Sequence, residues 1–112
     1  MNVRSLSPLP TAQEAFQRSR LRFLPEGSGC YVLSTFDGTV LYVGLSVSLR
    51  RRMNEHLDDA KKTSVTAAGR AVLIHWLEHQ DVARVERTWM NIHIENEGKM
   101  PVLNGVFSPV SA

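Results

Sequence analysis

The segment around Asp37-Gly38 constrains the fold of this chain more than any other feature. Residues 30–36 and 39–45, on its two sides, are rich in strand-forming side chains. Asp-Gly between two such runs is the strongest short-range signal for a β-hairpin, since both central positions of a type I′ turn need positive φ. The sequence therefore predicts two antiparallel strands joined by a two-residue turn.

The predicted hairpin brings two tyrosines together. Its register places Tyr31 opposite Gly44 and Tyr42 opposite Leu33. The tyrosines are then diagonal neighbours on one face, and the glycine leaves space beside the Tyr31 ring. Taken singly, each tyrosine is an ordinary half-buried strand aromatic whose hydroxyl meets water.

Helical and strand patterns flank the hairpin. Residues 11–23 predict a helix, because Thr11 and Glu14 have the spacing of a capping box. The remaining predicted elements are a helix from Ser46 or Ser48 to about Lys62, a strand over residues 71–77, and a helix over residues 82–95 capped by Asp81.

The predicted fold is α+β, with a small three-stranded antiparallel sheet flanked by helices and an extra helix at the N-terminus. The third strand is placed beside the first, which gives the spatial order 2-1-3. A chain of 112 residues makes one domain around one hydrophobic core. The predicted organisation is an N-terminal arm and helix over residues 1–28, a main domain over residues 29–105 and a tail over residues 106–112.

Positive charge is clustered, although the net charge is only +2. The basic groups are Arg18, Arg20 and Arg22, then Arg50, Arg51 and Arg52, followed by Lys61 and Lys62. Such clusters can contact phosphates. The candidate nucleic-acid contacts among them are Arg18, Arg22, Arg50 and Arg51. A solvated helix face accounts for the same pattern equally well.

The sequence shows no feature of a membrane or secreted protein. No apolar run approaches the roughly 18 residues that span a bilayer. Residues 1–10 lack the apolar stretch of a signal peptide. The single Cys30 cannot form an intrachain disulfide and is interpreted as a small buried hydrophobe. A cytoplasmic location is expected.

Arg52 and His56 are four residues apart on the helix after the hairpin and share one of its faces. Arg52 suits a phosphate clamp that stabilises developing charge. His56 suits a donor to a phosphate oxygen or a group that orients a water. A surface arginine and a boundary histidine are the alternatives.

Two further polar residues are candidates for a site. Glu86 borders the apolar stripe of the last predicted helix, where it could hold a hard cation with several waters or pair with Arg87. Glu95 and Glu97 compete for the metal role but lie where that helix should fray. Asn104 could brace the C-terminal loop by side-chain hydrogen bonds, although Asn-Gly is also a plain turn signal.

In their order and spacing, these elements resemble the GIY-YIG nuclease family over roughly residues 29 to 105. The matching elements are Gly29-Cys30-Tyr31, Tyr42-Val43-Gly44, Arg52 with His56, Glu86 in the last helix, and Asn104 after Pro101. Cys30 replaces the usual isoleucine, which is a tolerable exchange in a core. Leu45 stands where some members carry lysine or serine, so this chain must manage without that lysine.

The resemblance implies an endonuclease that hydrolyses phosphodiester bonds with one Mg²⁺ or Mn²⁺ on Glu86. One of the two tyrosines is implied as the proton acceptor, with Tyr31 favoured over Tyr42, and the other tyrosine and His56 assist. The further implied roles are charge stabilisation by Arg52, bracing by Asn104, and close approach of the nucleic acid at Gly44. DNA is favoured over RNA as the substrate. Because one such site breaks one strand per visit, the chain is expected to nick, to cut single strands or branched structures, to form a homodimer, or to take its targeting from a partner protein.

Two other functions fit parts of the sequence. A catalytically silent module, or a subunit of a larger complex, would bind nucleic acid through the arginine clusters without needing Glu86 or a metal. An adaptor or inhibitor would bind protein through exposed Trp76 or Trp89, although both tryptophans suit a core better.

Overall fold

The sheet of this protein has four strands, all antiparallel, in a computed structural model that describes residues 1–104. The strands are β1 (Ala12–Ala15), β2 (Gly29–Ser34), β3 (Val40–Ser46) and β4 (Leu73–Glu78), and their spatial order is β1-β4-β2-β3. The α+β class with an antiparallel sheet is confirmed. The predicted three-stranded sheet of order 2-1-3 is wrong, because a fourth strand pairs beyond β4.

Within residues 1–104, three α-helices and two short 3₁₀ helices accompany the sheet. They are α1 (Leu49–Leu57), α2 (Ala60–Thr63), α3 (Val82–Glu97) and the 3₁₀ helices Val3–Ser5 and Arg18–Phe23. The side chains of Ser48, Asp59 and Asp81 cap the three α-helices by accepting hydrogen bonds from backbone N–H groups. The helix predicted to reach Lys62 ends at Leu57, and Asp59 begins a separate turn.

The predicted helix over residues 11–23 is wrong. Ala12 pairs with Trp76 and Ala15 with Leu73, so this segment forms the edge strand β1 before the 3₁₀ helix. The capping-box spacing is a local signal. The edge of β4, which lies far away in sequence, presents backbone N–H and C=O groups with which residues 12–15 can pair. Pairing with that edge outweighs the local preference, as tertiary contacts commonly do.

The hairpin between β2 and β3 forms with a different turn from the one predicted. The Gly38 N–H donates to the Thr35 carbonyl at 3.0 Å, which closes the turn over Phe36 and Asp37. Gly38 has φ of 92°, so it supplies the left-handed residue that follows such a turn. The prediction of a two-residue type I′ turn on Asp37-Gly38 is therefore wrong.

A bulge sets the register at the tyrosines. Leu33 pairs with Tyr42 but Ser34 pairs with Val40, so Leu41 is an extra residue in β3. The longer turn shifts the pairing of β2 with β3 by one residue, and the bulge restores the predicted pairing from Leu33 toward Gly29. Tyr31 lies opposite Gly44 and Leu33 opposite Tyr42, as the sequence predicts.

Apolar side chains cover both faces of the sheet. On one face Leu33 and Ile74 pack with Leu49 and Met53 of α1. The other face carries a cluster that includes Val3, Val32, Val43, Val85 and Trp89. Trp76 and Trp89 are both buried, which leaves neither of them exposed for a partner protein. Among residues 1–104, no helix is long and apolar enough to cross a membrane.

Candidate active site

A cavity of about 440 Å³ lies along the edge strand β3. Its wall combines residues from β3, α1, α2, α3 and the segment after α3. The lining residues are Tyr42, Val43, Gly44, Leu45, Arg52, Lys62, Glu86, Met90, Met100, Leu103 and Asn104. Five residues predicted for the site therefore line one cavity: Tyr42, Gly44, Arg52, Glu86 and Asn104.

Tyr31 lies against this wall and is only 1% exposed. Its ring centre is 5.9 Å from that of Tyr42. A Cβ at Gly44 would come within 2.6 Å of the Tyr31 hydroxyl oxygen and 2.8 Å of Tyr42 Cε2. A glycine at position 44 is thus required for both tyrosines to keep their places.

The Tyr31 hydroxyl oxygen lies 2.5 Å from Nε2 of His56, which is also buried. Burial, together with the nearby charges of Lys62 and Arg52, lowers the pKa of His56 to about 3. Burial also raises the pKa of Tyr31 well above its ordinary value, and Tyr42 adds to that effect. At neutral pH the pair is uncharged, and we assign Nε2 as the acceptor of the Tyr31 hydroxyl proton.

Arg52 reaches the cavity from α1, one turn before His56. Its side chain is 42% exposed, and Nη1 lies 3.1 Å from Glu55 Oε1. A partly exposed ion pair of this kind contributes little to stability and can exchange partners readily. The guanidinium is therefore available to a phosphate oxygen in the cavity.

Glu86 contributes a carboxylate from α3. Its burial raises its pKa, and Arg87 opposes that shift. In the described part of the chain, no lysine, arginine or histidine nitrogen lies within 4.0 Å of this carboxylate. Glu95 is exposed, and Glu97 pairs with the Met1 amino group at 2.9 Å.

The surroundings of Glu86 suit one hard divalent cation. Residues 1–104 hold no cluster of three or more acidic, histidine or cysteine side chains. An ion on Glu86 would therefore complete its coordination with waters or phosphate oxygens, as Mg²⁺ does in many phosphate sites. A half-buried carboxylate with no cationic partner, facing a cavity, fits that requirement.

Asn104 holds the edge strand. Its Oδ1 accepts from the Val43 N–H and its Nδ2 donates to the Val43 carbonyl, both at 3.0 Å. The Leu103 N–H donates to the Leu41 carbonyl at 2.8 Å. The loop after α3 thus satisfies backbone groups on the outer edge of β3, where no strand of the described residues 1–104 pairs.

The four arginines predicted to contact nucleic acid lie outside the cavity wall. Arg18 pairs with Asp58 and donates to Asn54 at 2.7 Å, and Arg51 lies 3.9 Å from Glu55. Arg50 donates to the Leu24 carbonyl and to Glu26, so it ties α1 to the preceding loop. The Arg22 guanidinium lies 4.7 Å from the centre of the exposed Phe23 ring.

Lys62 lines the cavity but was predicted only as part of a basic helix face. Its Nζ lies 4.9 Å from the centre of the Tyr42 ring. The sequence signal that could have found it is the helix break at Asp58-Asp59, which changes the direction of the following lysines. Asp59 has good N-cap chemistry, so the break is readable in the sequence.

Comparison with known proteins gives a family match over most of the chain. A family model described as the GIY-YIG catalytic domain matches residues 27–98. UvrABC system protein C of Geobacter metallireducens is 47% identical over 45 residues, which cover 40% of this chain and 7% of that protein. The protein of the same name from Lactobacillus helveticus is 33% identical over 67 residues, which cover 60% of this chain and 10% of that protein. The chain thus matches a tenth or less of the length of these relatives.

Proposed function

The chain belongs to the GIY-YIG catalytic-domain family, and on that premise we propose that it is an endonuclease that hydrolyses phosphodiester bonds in DNA with one Mg²⁺ or Mn²⁺ ion. One observation carries the proposal. Residues from β3, α1, α3 and the following loop, which are far apart in sequence, line a single cavity whose wall carries a guanidinium, a tyrosine and a carboxylate. Among residues 1–104, that carboxylate has no cationic partner within 4.0 Å.

Hydrolysis of a phosphodiester requires an oriented water, stabilised charge on the phosphoryl oxygens and a neutralised leaving oxygen. In our proposal, Arg52 binds the phosphoryl oxygens and Tyr42 orients the water at the cavity wall. Glu86 would hold the divalent ion, and the bound ion would neutralise charge that develops on the leaving oxygen. Asn104 keeps β3, and with it Tyr42, in position through the Val43 backbone.

The Tyr31–His56 pair supplies a path for the proton. In the proposal, the attacking water reaches the Tyr31 hydroxyl past Gly44, which lines the cavity and lies beside that hydroxyl. Tyr31 takes the proton of this water while its own proton passes to Nε2 of His56, 2.5 Å away. Burial is the main cause of the lowered pKa of His56, and the charges of Lys62 and Arg52 add to it. A phosphate bound by Arg52 offsets the charge of that guanidinium, so substrate binding makes the imidazole a better proton acceptor.

Targeting is proposed to come from outside this cavity. The relatives bear the name UvrABC system protein C, the name of one protein within a system. We therefore propose that a partner protein or a second copy of the chain directs cleavage.

The experiment that tests the function is a cleavage assay on labelled supercoiled plasmid, linear duplex, single-stranded DNA and RNA. It compares the wild type with Glu86→Ala and Arg52→Ala, in Mg²⁺ or Mn²⁺ and in chelator. Glu95→Ala is the matched control, because Glu95 is an exposed carboxylate on the same helix. We expect metal-dependent cleavage that falls by about 10²-fold or more in Glu86→Ala and Arg52→Ala and is retained in Glu95→Ala.

A Glu86→Ala protein that cuts at the wild-type rate contradicts the assignment of the metal site. A folded wild type that cuts none of these substrates contradicts the proposed hydrolysis. Salt-dependent binding that needs neither Glu86 nor metal would then identify a nucleic-acid-binding module.

A further inference from the structure

The Lys62 side chain is enclosed to an unusual degree for a lysine. Only 15% of the side chain is exposed, whereas lysine head groups normally remain in water. Its Nζ lies over the Tyr42 ring and 3.5 Å from Asp59 Oδ2. The ammonium group is therefore held at the cavity wall rather than extended into solvent.

The backbone around α2 fixes this position. Asp59 accepts the Lys61 N–H through its side chain at 2.9 Å, and its own N–H donates to the His56 carbonyl at 3.0 Å. The Thr63 hydroxyl donates to the Asp59 carbonyl at 3.2 Å. These bonds tie the single turn of α2 to the end of α1, so Lys62 has a defined place relative to the buried histidine.

The ammonium group has unused hydrogen-bonding capacity. It carries three donors, and Asp59 takes one of them at the long distance of 3.5 Å. In the range 1–104, no second acceptor lies within hydrogen-bonding distance of Nζ. A half-buried cation with unused donors, lining a cavity, is arranged to meet an anion.

The charges in the cavity agree with an anionic occupant. Its lining includes two cations, Arg52 and Lys62, and one carboxylate, Glu86. Glu55 and Asp59, which pair with the two cations, do not line the cavity. Leu45 beside Gly44 adds no charge. Lys62 also acts on the interior of the site, since its charge contributes to the lowered pKa of His56.

We infer that Lys62 is the second phosphate-binding cation of the cavity, which binds a phosphate of the nucleic-acid strand together with Arg52. A planar guanidinium can bind two phosphate oxygens side by side, whereas an ammonium acts as a point charge. The two groups therefore complement each other on one phosphodiester. The inference rests on the proposed function, because it names a group that recognises the phosphate of that substrate.

The chain offers a matched control for this role in Lys61. Lys61 precedes Lys62 on the same turn, carries the same charge, is exposed, and does not line the cavity. The test compares the wild type with Lys61→Ala, Lys62→Ala and Lys62→Arg. Affinity for a labelled single-stranded and a duplex oligonucleotide is measured by fluorescence anisotropy over a range of salt concentrations, in chelator so that no cleavage occurs. Single-turnover cleavage in Mg²⁺ is measured on the same proteins.

We expect Lys62→Ala to reduce the slope of log affinity against log salt by about 0.7 to 0.9, the loss of one phosphate contact. Its single-turnover rate should fall by about tenfold or more. Lys62→Arg should keep the wild-type slope, because it keeps the charge. Lys61→Ala should change slope and rate much less than Lys62→Ala.

Equal salt slopes in Lys61→Ala and Lys62→Ala would overturn the inference, even if the wild type is an active nuclease. A specific loss in Lys62→Ala without any cleavage by the wild type would support the phosphate contact and contradict the proposed hydrolysis. Circular dichroism of each variant reports whether it folds. If Lys62→Ala does not fold, Lys62→Gln, which keeps most of the side-chain volume, replaces it in the same comparison.

Discussion

The hydroxyl of Tyr31 and the imidazole of His56 are buried together beside the cavity, 2.5 Å apart. A buried polar group is costly unless it is hydrogen-bonded, and each of these two groups satisfies the other. Gly44 makes the arrangement possible, since its missing side chain leaves room for the hydroxyl. The hydrogen bond between Tyr31 and His56 therefore depends on the absence of a side chain at Gly44.

Replacing Gly44 with alanine should disrupt the site more than its small size suggests. The new Cβ would lie within 2.6 to 2.8 Å of atoms of Tyr31 and Tyr42, so one or both rings must move. We expect a loss of about 1 to 3 kcal/mol in the free energy of unfolding, together with loss of cleavage. Gly27→Ala is the matched control, because its Cβ would meet only Glu78 Oε2 at an ordinary 3.7 Å.

Urea unfolding and cleavage assays on the two proteins check this prediction. The prediction is wrong if Gly44→Ala and Gly27→Ala unfold at the same urea concentration and cut equally well.

At the scale of elements, the parts that sequence could predict are those with strong local signals. The hairpin follows from its strand-forming runs, and α3 follows from the Asp81 cap and its apolar stripe. β1 could not be predicted, because Ala12–Ala15 becomes a strand only by pairing with β4, sixty or so residues away. The bulge at Leu41 was missed for the same reason, although the tyrosine register was predicted. The cavity brings β3, α2 and α3 together. The helix break at Asp58-Asp59 indicates the turn that carries Lys62, but no local pattern places that turn against Tyr42.

Asn104 is expected to matter through the edge strand it holds rather than through contact with substrate. Asn104→Ala leaves both backbone groups of Val43 without their side-chain partner. We expect a loss of about 1 to 3 kcal/mol in the free energy of unfolding and faster hydrogen exchange at the Val43 amide. Asn104→Asp keeps the acceptor but loses the donor, so its Val43 amide should remain better protected than in the alanine variant.

Hydrogen exchange followed by NMR on the three proteins measures the effect at the Val43 amide. Unchanged protection of this amide in Asn104→Ala would show that the Asn104 side chain does not stabilise β3.

At the scale of the whole molecule, the N-terminal segment is part of the same hydrophobic core as the site. Phe16 and Leu24 are buried in the cluster that contains Tyr31, Leu49 and Met53. On the other face, Val3 and Leu6 pack in the cluster of Trp89, whose indole N–H donates to the Pro8 carbonyl at 2.8 Å. The region that matches the family model begins at residue 27, so it excludes the N-terminal residues that make these contacts. The segment before it therefore supports the domain from both faces of the sheet.

A chain that begins at residue 27 is expected not to fold on its own. It lacks four buried side chains, Val3, Leu6, Phe16 and Leu24, each of which contributes about 1.5 to 3 kcal/mol when buried. Their sum is comparable to the total stability of a small domain, about 5 to 15 kcal/mol. Without these four side chains, the shortened chain should show no cooperative thermal unfolding and should not form the cavity.

The full chain carrying Phe16→Ala and Leu24→Ala is the matched comparison and should show an intermediate loss of stability, because β1 can still pair with β4. Thermal unfolding by circular dichroism distinguishes the three proteins. If the shortened chain unfolds cooperatively at the wild-type temperature, the N-terminal segment is an appendage and the family region alone is sufficient for the site.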